Sequence, residues 1–179
     1  MHSFDSVKLQ GKPAIASIRV ATAGDRATML RIINSAFAIE KFIEGQRTND
    51  GQLAEMMQKG EFLLGMDSFG RVVASVYVEV RGSRGYFGML AVDPRQQGAG
   101  LGRAMVEAAE QYCREKGCKA MDLTVLSLRP ELPPYYRKFG YAESGVEEFR
   151  TTRPLKGELK CHLIVMSKQL QVTASRILA

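Results

Sequence analysis

The sequence is poor in the two residue types that most often bind transition metals. It contains three cysteines, Cys113, Cys118 and Cys161, and two histidines, His2 and His162. The histidines lie far apart in sequence without a neighbouring group of Cys, Asp or Glu, so we predict no metal site. An odd number of cysteines without metal-like spacing favours free thiols in a reducing cytosol, and we therefore expect a cytoplasmic protein.

The sequence also lacks long apolar runs. No segment approaches the ~20 consecutive apolar residues that a membrane-spanning helix needs, and residues 1–17 have no continuous apolar core of the kind found in signal peptides. We therefore expect no membrane partner. A chain of 179 residues fits one domain. We expect a flexible lead-in over residues 1–14, one domain over 15–170 and a tail over 171–179.

Acidic residues are fewer than basic ones, since 19 Asp and Glu stand against 25 Lys and Arg and give a net charge of +6. Such a surplus raises the question of nucleic-acid binding, yet the basic residues are scattered and no run of them alternates with aromatic residues. We therefore expect no nucleic-acid partner. The interpretations that remain are a basic surface and attraction to a small polyanionic molecule.

Hydrophobic periodicity predicts strands and helices in a mixed order. The predicted elements are a strand over Ile15–Ala21, a helix ending near Ala38, a short helix ending at Gly60, three strands joined by tight turns over 61–92, a helix ending at Gly117, a strand over Ala120–Leu126, a short helix over Tyr135–Phe139, a polar loop over Glu143–Lys160 and a strand over Cys161–Leu170. This order predicts an α/β (α+β) fold in which helices cover a sheet.

Three glycines, Gly98, Gly100 and Gly102, lie between a strand pattern and a helical pattern. Glycine-rich turns in that setting often bind phosphate groups. A P-loop would need Lys-Ser or Lys-Thr after its last glycine, which is missing here. A dinucleotide fingerprint would need a third glycine where Arg103 stands, and the next strand does not end in the acid that holds a ribose. The remaining pattern, [RQ]-x-x-G-x-[GA], is matched by Gln97, Gly100 and Gly102.

That pattern and its surroundings resemble the GNAT superfamily of acyl-CoA-dependent N-acetyltransferases. The segment YFGMLAVDPRQQGAGLGRAMVEAAE is similar to the family's strand, pyrophosphate loop and helix, and PYYRKFGYAE is similar to its downstream aromatic element. The resemblance spans roughly Ile15 to Leu170 in the family's order. It implies an acetyltransferase domain over 15–170 with a mixed, mostly antiparallel sheet, splayed at its centre, and helices on both faces.

The resemblance also implies acetyl-CoA as cosubstrate, without a metal. Backbone N–H groups in a glycine loop converge readily on a pyrophosphate, and the next helix points its positive end at the same anion. In the family, the strand before the loop pairs its backbone with the pantetheine arm. The cofactor-binding residues that we expect are Leu90, Ala91, Val92, Arg95, Gln97, Gly98, Ala99, Gly100, Leu101, Gly102 and Arg103.

The catalytic residues follow from the resemblance and from the chemistry of amine attack on a thioester. The family's tyrosine that donates a proton to the departing thiolate corresponds to Tyr136, with Tyr135 as its neighbour and alternative. For the base that deprotonates the amine, alternation on its strand favours Glu79, which is equally compatible with a solvent-facing hairpin residue. Glu131 is a second candidate base. We expect direct attack, without an acyl-enzyme.

The sequence says less about the acceptor than about the cofactor. The variable regions suggest substrate-binding roles for Phe37, Phe42, Arg47, Arg129 and Glu131, with the two arginines suited to a carboxylate. The acceptor class stays open between a small-molecule amine and a peptide. Two alternatives to an enzyme also stay open, a non-catalytic CoA-binding domain of the same fold and a basic nucleic-acid-binding module. A homodimer is compatible with the sequence but not specified by it.

Overall fold

The computed structural model describes residues 15–151 and 153–171. The predicted lead-in over residues 1–14 and nearly all of the predicted tail lie outside the described residues. The strands are β1 (Ser17–Val20), β2 (Glu61–Met66), β3 (Val72–Arg81), β4 (Arg84–Val92), β5 (Ala120–Leu126), β6 (Ala142–Glu148) and β7 (His162–Gln169), and the α-helices are α1 (Arg26–Ala36), α2 (Asp50–Lys59), α3 (Leu101–Glu115) and α4 (Leu132–Arg137).

The seven strands form one sheet in the order β1-β2-β3-β4-β5-β7-β6. Strands β4 and β5 run parallel, and every other neighbouring pair is antiparallel. Alternate strand residues belong to two apolar clusters. Helices α1 and α2 pack with one cluster, and α3 and α4 with the other. The predicted mixed, mostly antiparallel sheet with helices on both faces is therefore confirmed.

The sheet diverges at its centre, as predicted. Strands β4 and β5 pair only between Arg84–Tyr86 and Ala120–Asp122. Beyond Tyr86 the described structure gives β4 no further pairing with β5, although β4 continues to pair with β3 as far as Val92. The two strands thus open a gap whose walls carry backbone and side chains from both.

A bulge in β4 places its last residues at this gap. Within the described residues, Met89 is the one non-glycine residue with a positive φ, at 50°. The pairing with β3 shifts at the same point. Phe87 packs in the α3 cluster, whereas Ala91, four positions later, packs in the α1 cluster. The extra residue therefore reverses the alternation and turns Leu90 and Val92 towards α3.

The polar loop predicted over Glu143–Lys160 is partly wrong, because its first residues form strand β6. This strand lies at the edge of the sheet and pairs only with β7. All seven of its residues are exposed. A strand that buries neither face has no need of alternating apolar residues, so periodicity does not detect it.

A buried ionic cluster fixes α3 to β7. Glu110 of α3 is 4% exposed at its side chain. It accepts hydrogen bonds from the Tyr141 hydroxyl at 2.8 Å, from Lys168 Nζ at 2.8 and 3.0 Å, and from Arg114 at 3.0 Å. Two cationic side chains thus depend on one buried carboxylate.

Replacing Glu110 with Gln is expected to lower the free energy of unfolding by about 3 kcal/mol, because two partly buried cations lose their counter-charge. The exposed Glu115 on the same helix provides a matched control, and E115Q should change stability by about 0.5 kcal/mol or less. Urea unfolding of both variants measures the difference. Equal stabilities of the two variants would contradict the role assigned to Glu110.

Candidate active site

The glycine loop has a backbone that requires glycine. Gly98 and Gly100 both have φ of +82°, in the left-handed region that residues with a Cβ rarely adopt. A Cβ built on either residue meets no other atom within 4 Å, so both glycines face open space. Gly100 is the N-cap of α3, and no side chain caps the helix there. The first N–H groups of α3 are therefore available to an anion in that space.

Gly102 has a different role from Gly98 and Gly100. A Cβ at this position would lie 2.7 Å from the Tyr135 hydroxyl oxygen, which is too close for van der Waals contact. The missing side chain lets α4 pack its tyrosine against the first turn of α3. Gly102 thereby joins the loop to the aromatic segment that follows β5.

A cavity of about 640 Å³ extends from the glycine loop to α4, and we call it the loop cavity. Four groups of residues line it, from the end of α1 with Phe37, the end of β4, the loop with the start of α3, and the segment around α4. They include Leu90, Val92, Gln97, Gly98, Gly100, Leu101, Gly102, Arg103, Arg129, Glu131, Leu132, Tyr135, Tyr136, Lys138 and Phe139. One end of the cavity is rich in backbone N–H groups and the other is aromatic.

A second cavity of about 460 Å³ occupies the gap between β4 and β5, and we call it the gap cavity. Its walls include Glu79, Tyr86 and Met89, with the second half of β5 opposite. The two cavities meet, because Phe37, Leu90, Arg129, Leu132 and Tyr136 line both of them. A long ligand in the loop cavity would therefore reach the gap at these shared residues.

Tyr136 occupies the junction between the two cavities. Its residue is 7% exposed, and its ring makes edge-on contacts with Phe87 and Tyr141 at centroid distances of 5.8 and 6.3 Å. Burial raises the pKa of its hydroxyl above the usual range. The hydroxyl therefore stays protonated at neutral pH and is suited to donate a hydrogen bond. Tyr135, the alternative, lines only the loop cavity.

Glu79 lies on the wall of the gap cavity, as alternation along β3 predicted. Its carboxylate accepts hydrogen bonds from Arg81 Nε and from the Tyr77 hydroxyl, both at 2.9 Å. The Arg81 guanidinium holds the pKa of Glu79 below its usual range, and the Tyr77 hydroxyl lowers it further. Glu79 is thus ionised at neutral pH and positioned, although a lowered pKa makes it a weaker proton acceptor.

Arg129, predicted to bind the substrate, lines both cavities and is already paired with two carboxylates. Arg129 bonds Glu40 Oε1 at 3.0 Å and Glu131 Oε1 at 2.5 Å, so two carboxylates already neutralise its charge. Glu131, the second candidate base, lies at the N-cap of α4 and lines the loop cavity only. The pair joins the start of α4 to Glu40, and the roles of Arg129 in substrate binding and of Glu131 as a base stay predictions.

Of the other predicted acceptor residues, two lie together and one lies elsewhere. The Arg47 guanidinium stacks over the Phe37 ring at 4.9 Å, and Arg47 Nε contacts Met89 Sδ at 3.3 Å. Both Arg47 and Phe37 line the gap cavity. Phe42 lines neither cavity, and its carbonyl accepts a hydrogen bond from the Lys156 N–H at 2.9 Å. Through this backbone hydrogen bond, Phe42 helps to join the loop after α1 to the segment around Lys156.

Not every predicted cofactor residue faces the loop cavity. Arg95 pairs with Asp93 at 2.7 Å and lies 80% exposed on another face, so its side chain is not directed to the cavity. Ala91 is buried in the α1 cluster, and Ala99 lies between the two left-handed glycines without lining the cavity. Arg103 does line it, while pairing with Glu107 at 2.9 Å. Some of the predicted cofactor-binding residues therefore line the loop cavity, whereas Arg95, Ala91 and Ala99 lie beside or behind it.

Several residues in or beside the two cavities were missed from the sequence. Tyr86 and Leu132 line the gap cavity, Lys138 lines the loop cavity, and the buried Glu40 holds Arg129. Lys138 lies within the quoted aromatic segment, two residues after Tyr136, so the sequence around Tyr136 could have pointed to it. The sequence around Glu40 does not reveal its role, because its partner Arg129 is 89 residues away along the chain.

The cysteines lie apart from both cavities. Cys113 and Cys118 are buried, and Cys161 is partly buried. Burial raises the pKa of the Cys113 thiol to about 12, so at neutral pH this thiol is not a nucleophile. None of the three lines the loop or gap cavity.

The family comparison decides between the patterns that a glycine loop allows. The family model described as an acetyltransferase (GNAT) domain matches residues 31–152, more than half of the chain. The chain belongs to the GNAT acetyltransferase family. The resemblance predicted from the glycine loop and the aromatic segment is confirmed. No sequence among the curated proteins is similar enough to this GNAT chain to count as a match.

Solved structures share the GNAT fold at low sequence identity. The ribosomal-protein-S18-alanine N-acetyltransferase from Escherichia coli is 19% identical with a TM-score of 0.69, over 91% of this chain and 98% of that one. The GNAT superfamily phosphinothricin acetyltransferase from Sinorhizobium meliloti, solved with acetyl-CoA, is 17% identical with a TM-score of 0.69, over 91% and 93%. YncA from Salmonella typhimurium, solved with its cofactor acetyl-CoA, is 21% identical with a TM-score of 0.67, over 91% and 98%.

Two other kinds of site have no candidate among the described residues. The described residues contain no group of three or more His, Cys, Asp or Glu that could hold a metal ion. Among the helices of residues 15–151 and 153–171, none has the length and apolar character needed to cross a membrane.

Proposed function

We propose that this protein is an acetyl-CoA-dependent N-acetyltransferase that acts on a primary amine by direct attack, without an acyl-enzyme. One observation carries the proposal. The cavity that begins at the glycine loop meets the gap between β4 and β5 at Tyr136. A cofactor bound by its phosphates at one end thus places its reactive end beside a buried hydroxyl and a second cavity.

The loop cavity fits coenzyme A by its chemistry. The open space beside Gly98 and Gly100 is where a side chain would otherwise project, and the uncapped start of α3 favours a pyrophosphate there. Arg103 and Lys138 add positive charge along the same cavity. Leu90 and Val92 line its path towards the gap, and their strand lacks a β5 partner at that point. Acetyl-CoA supplies an acyl thioester, which is activated towards amines.

Tyr136 is the proposed proton donor. Attack by an amine forms a C–N bond and breaks the C–S bond, and negative charge develops on the sulfur. With its pKa raised, Tyr136 does not ionise readily, so its contribution is a hydrogen bond to the developing thiolate, in which the proton moves towards sulfur. The backbone of β4 beside the gap offers N–H groups that β5 does not use.

Glu79 is the proposed acceptor of the proton that the amine loses, directly or through a water molecule. It lines the gap cavity, and Tyr77 and Arg81 fix its position. Direct attack is supported by the burial of Cys113 and by the positions of all three cysteines outside both cavities. The names of the similar structures point to acceptors of very different size, an alanine of a ribosomal protein and phosphinothricin. A small molecule and a peptide are therefore both acceptor classes to be tested.

The proposal is tested by measuring thiol release from acetyl-CoA in the presence of single amines, amino acids and short peptides. We expect release that depends on both the enzyme and the amine, together with stabilisation of the protein by acetyl-CoA against thermal unfolding. Stabilisation without release for any acceptor would favour a CoA-binding sensor. Absence of both would contradict the proposed function.

A further inference from the structure

A third cavity, beside the proposed acceptor site, is strongly basic. It measures about 840 Å³, and we call it the basic cavity. The loop that follows α1 and the segment around residue 153 form much of it, and it shares Phe37, Glu40 and Arg47 with the gap cavity. Five basic side chains line it: Arg31, Lys41, Arg47, Arg153 and Lys156.

The basic cavity contains too few carboxylates to neutralise these cations. Only two acidic residues line it, Glu40 and Asp50. Glu40 bonds Arg129 at 3.0 Å and Asp50 pairs with Arg26 at 3.2 Å, so both are directed to residues outside the set. Within the described ranges, no salt bridge forms to any of the five basic side chains.

Arg47 and Arg153 differ from the other three because they are partly buried. The backbone brings them together, since Ile43 pairs with Leu155 and the Glu44 N–H donates to the Pro154 carbonyl. Burial lowers the pKa of Arg153 and the nearby charge of Arg47 lowers it further, whereas the Glu40 carboxylate raises it in part. Two neighbouring guanidinium groups are thus held against mutual repulsion, and the Glu40 carboxylate that attracts Arg153 forms its salt bridge with Arg129 instead.

Their other contacts orient both groups without neutralising them. Arg153 Nη1 donates to the Gln46 carbonyl at 3.0 Å, and Arg47 is fixed by the Phe37 ring and Met89 Sδ. An aromatic ring, a thioether and a neutral carbonyl give neither guanidinium a carboxylate as a bonding partner. Arg47 also lines the gap cavity, so an anion at this pair would lie beside the place where the amine reacts.

We propose that Arg47 and Arg153 bind an oxyanion carried by the amine acceptor, so that the enzyme acetylates amines that bear a carboxylate or phosphate group. The inference rests on the proposed function, and it names the substrate class. Arginine suits this role because its planar guanidinium binds such groups through two parallel hydrogen bonds. The amine then reaches Tyr136 and Glu79 through the gap cavity.

The test compares matched acceptors in the thiol-release assay. The pairs are free amino acids against their amides, phosphoethanolamine against ethanolamine, and acidic against neutral tetrapeptides. The first two pairs test whether the oxyanion belongs to a small metabolite, and the third tests whether it belongs to a peptide. We expect the charged member of at least one pair to have a kcat/KM roughly tenfold or more above its neutral partner. R47Q and R153Q should each bring the ratio of kcat/KM for charged over neutral acceptors close to one, mainly by raising KM for the charged member of each pair. K116Q, which removes one exposed charge at the end of α3, is the control for net charge.

A second readout does not depend on turnover. An arginine-selective dicarbonyl reagent is applied with and without inorganic phosphate or succinate, and modified peptides are quantified by mass spectrometry. We expect the anions to protect Arg47 and Arg153 but not the exposed Arg150, which pairs with Glu148. If no amine is acetylated but this protection is seen, the proposed function fails and the anion site stands. Equal kcat/KM for charged and neutral acceptors, or no selective protection, would overturn the inference.

Discussion

Replacing Tyr136 with Phe is expected to lower kcat at least tenfold, towards the range of about 10²–10⁴ seen for acid–base groups. The substitution removes one hydroxyl at the junction of the two cavities and keeps the ring contacts with Phe87 and Tyr141. Thermal stability and acetyl-CoA affinity should therefore change little. Steady-state kinetics with the best acceptor, together with calorimetric titration of acetyl-CoA, measures the two effects separately.

Y135F provides the matched control, because it removes a hydroxyl from the adjacent residue, which lines only the loop cavity. Its loss in kcat should be the smaller of the two. The pH profile gives a further readout. A raised pKa keeps the Tyr136 proton in place as pH rises, so kcat should not fall up to about pH 10, the usual pKa of tyrosine. An unchanged kcat in Y136F, or a larger loss in Y135F, would contradict the assignment.

Replacing Gly100 with Ala is expected to raise the Kd for acetyl-CoA at least tenfold. The added Cβ projects into the open space at the start of α3, and an L residue at φ of +82° is strained by about 1–2 kcal/mol. The loop then shifts away from the geometry that presents its N–H groups to the pyrophosphate. Calorimetric titration of the variant with acetyl-CoA measures the loss.

Gly70, in the turn between β2 and β3, is the matched control for backbone strain. Its φ is +74°, and a Cβ there also meets nothing within 4 Å. G70A should therefore lower stability by a similar amount, while its affinity for acetyl-CoA stays that of the wild type. Equal weakening of binding in G100A and G70A would mean that strain alone, and not contact with the cofactor, explains the effect.

The glycine loop is the part of the site that local sequence predicts well. Its residues are adjacent in the chain, and their function depends on backbone geometry, which glycine spacing reports directly. The same holds for Tyr136, since a short aromatic segment places it on α4. Strands β2 to β4 were equally predictable, because tight turns and apolar runs are local signals.

The electrostatics of the acceptor side could not be predicted in this way. Arg129 and Arg47 look alike in the sequence, yet Glu40 and Glu131 neutralise the first, and no described carboxylate pairs with the second. Glu40 reaches Arg129 only through the fold. The bulge at Met89 is equally hidden, because an ordinary strand sequence gives no sign of a positive φ.

The central claim is that the glycine loop holds the pyrophosphate of coenzyme A, and it is tested most directly by comparing two thioester ligands. Acetyl-CoA contains the pyrophosphate as part of its 3′-phospho-ADP portion, and acetyl-pantetheine carries the same reactive end without that portion; G100A should abolish most of the difference in affinity between the two. Calorimetric titration of the wild-type protein should give a Kd for acetyl-CoA at least 10²-fold below that for acetyl-pantetheine, as expected for about 3 kcal/mol of anion contacts. Equal affinities, or no binding of acetyl-CoA, would contradict the account.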